Sequence, residues 1–247
     1  MKAIATVGSS NATTQRVAMN AVVALLGLCA ACGAASAVDD ALRPLQDWTP
    51  PGWKEIRRAA GDLDRDGDRD IVLVLEQDAP APISADGEED GDEVLNTNPR
   101  MLLVLFAEGG MYRKAAENTT LVPTERSVEE PCLDDPLTEV AIRNGTLRLT
   151  FERFLSCGGW ATSKVVYTFR HDGQGMRLIG QDTSTFMRNS GEETMDSINY
   201  LTGRQKIVNG MYEAGENGLE RDLTPRWKQL ARTAPRYLES LLAPELE

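Results

Sequence analysis

The chain reads as a mainly β protein: one sandwich-like domain of antiparallel sheet, with short helices at its C-terminal end. Three observations predict this. Apolar segments are short, and they either alternate with polar residues, as over 147–152, or run β-branched for a few positions, as over 71–75. Turn dipeptides such as Gly109-Gly110, Asn144-Gly145 and Asp172-Gly173 separate them. No helical period intervenes between successive strands, and direct hairpin order belongs to antiparallel sheet.

Residues 1–37 are read as a signal peptide outside the domain. Lys2 and Arg16 give a positive, acid-free start, residues 21–32 are apolar but too short to span a bilayer, and Ala35-Ser36-Ala37 forms a cleavage site. A lipid anchor at Cys32, behind Ala30-Ala31, is the alternative reading of the same segment. The domain then covers 38–247. Losing two basic and no acidic residues takes the net charge from −12 to −14. A surface of that net charge is expected to repel nucleic acid and anionic lipid. No later run reaches the roughly 18 apolar residues of a transmembrane segment. The expected location is periplasmic or extracellular, or membrane-anchored for a lipoprotein.

Residues 53–60 form the first strand and lead into Asp-Leu-Asp-Arg-Asp-Gly-Asp-Arg-Asp at 62–70, the strongest chemical signal in the sequence. Calcium takes six to eight oxygens at about 2.3–2.6 Å, and a short loop can surround it when acidic side chains recur at alternate positions. Asp62, Asp64 and Asp66 are the first metal ligands by this reasoning. Gly67 makes the sharp turn, the backbone carbonyl of Asp68 adds an oxygen, and Asp70 closes the site directly or through water. The expected cofactor is therefore calcium. An EF-hand is excluded, because its twelfth position, here Leu73, must be a ligating glutamate, and the exit over 71–75 is a buried strand instead of a helix.

A loop of this form entering a strand resembles the calcium loops of FG-GAP-type repeats, found in integrin-like propellers and in secreted bacterial proteins. The resemblance covers 61–76. The Phe-Gly and Gly-Ala-Pro landmarks of that repeat are absent, and Asp86, Glu88, Asp90, Gly91 and Asp92 imitate a second loop that fails to close, since Val94 stands at its ninth position. That stretch is read as part of an exposed acidic insertion over 78–99, flanked by Ala79-Pro80-Ala81-Pro82 and Asn98-Pro99. Together with Gly52-Trp53, Tyr167-Thr168-Phe169-Arg170 and Asn199-Tyr200-Leu201-Thr202-Gly203, the loop is similar to stretches of uncharacterised secreted or lipid-anchored bacterial proteins that carry a single Asp-rich loop before an antiparallel region.

Further strands are expected over 101–107, 112–115, 147–152, 165–170 and 176–180. Asn144-Gly145 suits a two-residue hairpin turn, which sets Arg143 opposite Thr146 and, counted down both arms, Cys132 opposite Cys157. Cys29 and Cys32 leave with the signal peptide, so Cys132 and Cys157 are the pair available for a disulfide in an oxidising compartment. Closing that loop contributes about 3 kcal/mol by chain entropy. Pro136 and Cys157-Gly158-Gly159 predict a bulged or frayed base to the hairpin. Near the C-terminus, Trp227, Leu230, Ala234, Leu238 and Leu241 recur at three- and four-residue spacing after Thr224-Pro225, which predicts short helices interrupted at Pro235.

Function is less legible. The single histidine, His171, reads as an exposed turn residue, and no nucleophile or phosphate-loop motif is present. A secreted hydrolase would have to use a carboxylate pair from Glu129, Glu130, Asp134 and Asp135. The favoured reading is an exported, calcium-stabilised binding or structural module. Trp48, Trp53 and Trp160 are candidates either for a surface that meets a protein or carbohydrate ligand or for the core.

Overall fold

A computed structural model describes residues 41–79, 95–215, 218–221 and 224–246. The signal peptide, the anchor at Cys32, the second acidic motif and most of the insertion lie outside the described residues. Four strands, β1 (Trp53–Gly61), β2 (Asp70–Gln77), β3 (Arg100–Glu108) and β4 (Met111–Asn118), form one antiparallel sheet in sequence order. The other sheet runs in line through β5 (Leu137–Arg143), β6 (Thr146–Arg153), β7 (Ala161–His171), β8 (Met176–Met187), β9 (Glu192–Asn199), β10 (Arg204–Gly215) and β11 (Gly218–Arg221). An additional strand, β12 (Arg226–Gln229), pairs with the start of β10, whereas β11 pairs with its end. The antiparallel class expected from the hairpin pattern is the class observed.

The two sheets bury one face against the other. Val72, Val74, Leu102, Val104 and Phe106 pack with Leu147, Leu149, Phe151, Phe169 and Leu178 in a single core. The central strands β2 and β3 are covered on both faces, which is why they read as continuous apolar runs. Their second face, with Leu73, Leu75, Leu103 and Leu105, is closed by Trp48 from the 3-10 turn Leu45–Trp48 and by Trp53 and Tyr112. Trp48 is thus a core residue, while Trp160 stands 66% exposed.

The expected C-terminal helices are replaced by extended chain. Residues 226–229 pair along β10, Arg177 bridges to Tyr237, and helical geometry is confined to the 3-10 turn Leu238–Ser240. Two causes are evident. The first half of β10 offers an open edge whose backbone groups need partners, and Pro235 removes one donor and one permissible helical position. Of the periodic apolar residues only Leu238 and Leu241 are buried, and Trp227 is 55% exposed. Asn118 holds this end in place, since its amide donates to the carbonyls of Leu238 (2.6 Å) and Leu241 (2.8 Å) while its oxygen accepts from Leu121 N–H (2.6 Å).

The hairpin keeps its predicted register from Arg143↔Thr146 to Glu139↔Thr150 and then shifts by one residue, so that Leu137 faces Phe151. Past this bulge the Cys132–Cys157 disulfide is formed, with Cα atoms 5.5 Å apart. The ends of the insertion also differ from expectation. Leu95 is buried, and the Asn98 amide donates to the Ala79 carbonyl at 2.9 Å, which clips the two ends together.

Candidate metal centre

β1 ends at Gly61 and β2 begins at Asp70, so the Asp-rich loop is the connection of an antiparallel pair. Leu63 is buried in the core between the sheets and anchors the loop from within. The turn needs left-handed backbone at Gly67 (φ 95°), and Arg65 adopts the same region (φ 70°). Short aspartate-to-backbone bonds shape the rest. Asp62 accepts from Arg65 N–H (2.6 Å) and Gly67 N–H (3.3 Å), Asp64 from Asp66 N–H (3.3 Å), and Asp66 from Asp68 N–H (2.8 Å).

Asp70 differs from the others. It is fully buried, and its two oxygens accept from Leu63 N–H (2.6 Å), Asp64 N–H (3.4 Å) and Ala107 N–H (2.9 Å). One side chain thereby fastens both the start of the loop and the end of β3. Burial pushes the Asp70 carboxyl above the usual carboxylate range, the backbone donors of Ala107 and Leu63 pull it back, and nearby Asp64 pushes it up again. The Asp64 carboxyl is raised too, first by burial and then by Asp66. The Arg113 guanidinium, 4.0 Å from Asp64, offsets only part of that.

Asp62, Asp64 and Asp70 each present a carboxylate oxygen, and these oxygens all lie within 4.8 Å of one another. Opposite ligands on a calcium ion stand about 4.6–5.2 Å apart, twice the calcium–oxygen distance, so the three fit around one hard cation. The cluster could hold a metal ion. The structure thus gathers three of the four carboxylates expected to ligate through their side chains, Asp62, Asp64 and Asp70, while Asp66 is exposed and outside this cluster, as is the side chain of Asp68, which was expected to offer its backbone carbonyl.

No family model, curated protein or solved structure matches this chain.

The carboxylates considered for catalysis are occupied elsewhere. Glu130 pairs with Arg153, Asp134 with Arg126 at 3.4 Å, and Glu129 accepts from the Ser127 hydroxyl at 2.7 Å. Asp135 receives both arms of the Arg100 guanidinium, at 2.6 and 3.1 Å. His171 is the last residue of β7 and not an exposed turn residue. It is half-buried, with its ring edge-on to Phe106 at 4.9 Å.

Sequence reasoning missed a buried ionic network. Arg100 and Glu76, facing each other across β3 and β2, are 3% and 2% exposed and join at 3.0 Å. Asn96 donates to Glu76 at 2.9 Å, and Lys54 lies 3.2 Å from it. Burial acts to raise the Glu76 carboxyl, but the donors Asn96, Arg100 and Lys54 outweigh it and hold the group low. The available signal was a pair of opposite charges, one ending the apolar run of β2 and one opening that of β3.

Proposed function

We propose that the protein is an exported module whose 62–70 loop holds one calcium ion, and that the ion fixes the passage from β1 into β2 without itself reacting. The observation that carries this is the convergence of the Asp62, Asp64 and Asp70 carboxylates within 4.8 Å. Three anions so close repel one another, and a divalent cation removes that repulsion. The alternating ligand pattern and its resemblance to FG-GAP-type loops favour calcium over other hard cations, as does the all-oxygen donor set. The disulfide supports an oxidising compartment, hence a periplasmic or extracellular setting. The module's role is binding or structural, toward a protein or carbohydrate ligand, and the exposed Trp160 is a contact residue of suitable chemistry. The alternative, hydrolysis by a carboxylate pair, is less favoured because Glu129, Glu130, Asp134 and Asp135 are engaged as described above.

Calcium titration followed by thermal melting tests the reading. An extracellular-type site has Kd of about 0.1–1 mM. At a hundredfold excess over Kd the ion adds about 2.7 kcal/mol, which for a domain of this size is about 5–11 °C in melting temperature. Asp62→Ala should abolish that rise. Identical melting of the wild-type protein in about 100 mM calcium, a hundredfold excess over the weakest such Kd, and in chelator would refute calcium binding.

A further inference from the structure

The net charge of the chain conceals where its charges sit. Up to Arg177 most basic side chains are tied to carboxylates: Lys54 and Arg100 to Glu76, Arg58 to Glu55, Arg126 to Asp134, Lys164 to Glu152 and Arg177 to Asp172. Beyond residue 200 this stops. Arg204, Lys206, Arg226, Lys228, Arg232 and Arg236 make no ion pair among the described residues, and the stretches 200–210 and 224–236 contain no Asp or Glu.

Strand register sets these cations along one edge of the sheet, with Arg204 and Lys206 on the face that carries Trp227 and Gln229, and Arg226 and Lys228 on the opposite face. β12 pairs with the first half of β10, setting Lys206 beside Trp227, Arg204 beside Gln229 and Ile207 beside Arg226. All four residues of β12 are exposed. The Arg204 guanidinium lies 4.3 Å over the Trp227 ring, which is 55% exposed. Glu213 and Glu220, which face each other in β10 and β11, belong to the opposite half of β10, and Asp196, opposite Ile207 on β9, accepts from the Gln205 amide at 2.6 Å. Beside the rim, between the turn after β9 and the run 230–233, lies an open groove of about 520 Å³, walled by Tyr200, Leu201 and Leu230 together with Arg177 and Arg232. The Arg177 Nε is buried there without an acceptor, and Leu201 is 41% exposed.

We propose that this rim docks on the anionic lipid surface of a membrane. Arginine and lysine side chains meet headgroup phosphates, and Trp227 and Leu201 enter the boundary between headgroups and acyl chains, where an amphipathic indole is at home. The apolar residues interleaved with the cations favour a lipid surface over a soluble polyanion, which would need charge alone. The overall acidity does not forbid this, because at physiological salt charges more than about 8 Å away are largely screened. The acidic character inferred from composition is an average over a surface on which charge is segregated.

Co-sedimentation with vesicles tests the proposal at one fixed calcium concentration. The protein should bind vesicles containing phosphatidylglycerol, ignore pure phosphatidylcholine, and release as salt is raised. Lys228→Ser and Arg232→Ser should each weaken binding about five-fold, the equivalent of about 1 kcal/mol per basic residue near an anionic leaflet. Trp227→Ala should weaken it as well. Because Arg232 lies in exposed chain outside any strand, its substitution leaves the fold intact, and an unchanged melting temperature verifies this. Equal affinity for neutral vesicles would overturn the proposal, as would indifference to Arg232→Ser in a folded chain. Binding to heparin or DNA without binding to phosphatidylglycerol vesicles would overturn it too, by assigning the rim to a soluble polyanion.

Discussion

Substituting Asp70 by alanine separates the loop's own architecture from any ion it holds. The carboxylate is 0% exposed and accepts from Leu63 N–H at 2.6 Å, Ala107 N–H at 2.9 Å and, more weakly, Asp64 N–H at 3.4 Å. Asp70→Ala leaves at least the first two donors buried without acceptors. Each stranded donor costs about 1–3 kcal/mol, so the expected loss in chelator is about 2–6 kcal/mol, or about 4–24 °C in melting temperature. Asp62→Ala is the control. Its backbone partners, Arg65 and Gly67, are exposed and turn to water, so in chelator it should cost less than about 1 kcal/mol. Thermal melting by circular dichroism reads both variants, and hydrogen exchange at the Ala107 amide reports the site directly. If Asp70→Ala melts with the wild-type protein in chelator, the reasoning that this carboxylate staples β2 to β3 and the loop fails. If Asp62→Ala alone is strongly destabilised there, the loop is held by bonds other than those to Asp70.

The buried network predicts an acid limb in the stability profile. The Glu76 carboxyl is held below its unfolded value, so its contribution is complete above the usual glutamate pKa of about 4.3 and is lost as pH falls through the lower folded-state value. Urea melts should show stability falling below that pH in the wild-type protein and a flatter profile in Glu76→Gln; equal slopes would contradict the assignment. Arg100→Met should cost about 3–5 kcal/mol at neutral pH, because it removes the buried cation that joins Glu76 to Asp135. At Gly61 an added Cβ would lie 2.6 Å from Ile142 Cγ2, so Gly61→Ala should cost about 1–3 kcal/mol by overpacking. Ile142→Ala in the same chain should recover part of that loss, and strictly additive costs in the double-mutant cycle would show that the two residues do not meet.

Most of the fold was legible because its signals are local. Alternation at Leu147, Leu149 and Phe151, unbroken apolarity over β2 and β3, and Asn144-Gly145 at the hairpin tip each state a strand or a turn without reference to distant residues. The disulfide followed from the same count, which tolerated the one-residue shift at the hairpin base. The C-terminal segment was illegible for the complementary reason. Its three- and four-residue spacing resembles a helix, but the open edge of β10 decides its conformation, and that edge lies some twenty residues away in sequence. The pairing of buried Arg100 with buried Glu76 and half-buried Asp135 is likewise tertiary, assembled from β2, β3 and the approach to β5. In the loop, alternate spacing ranked Asp62, Asp64 and Asp66 as first ligands and gave Asp70 only the closing place. Burial is what distinguishes Asp70, and it becomes visible only once Leu63 and β3 are in place.

That placement gives the loop a reach beyond its own two strands. The position where a Cβ would stand on Gly145, at the tip of the β5–β6 hairpin, is 3.2 Å from Arg65 Nε and 3.7 Å from the Asp62 carbonyl, so the Asp-rich loop lies directly against the large sheet. One residue earlier in the chain, Gly61 admits Ile142 from the same hairpin. Leu63 joins the core that both sheets share. The conformation of residues 61–65 therefore fixes two things together: the entry into β2 and the contact between the edges of the two sheets. A cation drawn to Asp62 and Asp64 would act on the segment where both constraints meet. Its stabilising effect should for that reason reach the β5–β6 hairpin amides as well as those of β1 and β2. Hydrogen exchange slowed by calcium in the loop alone would limit the ion to local ordering.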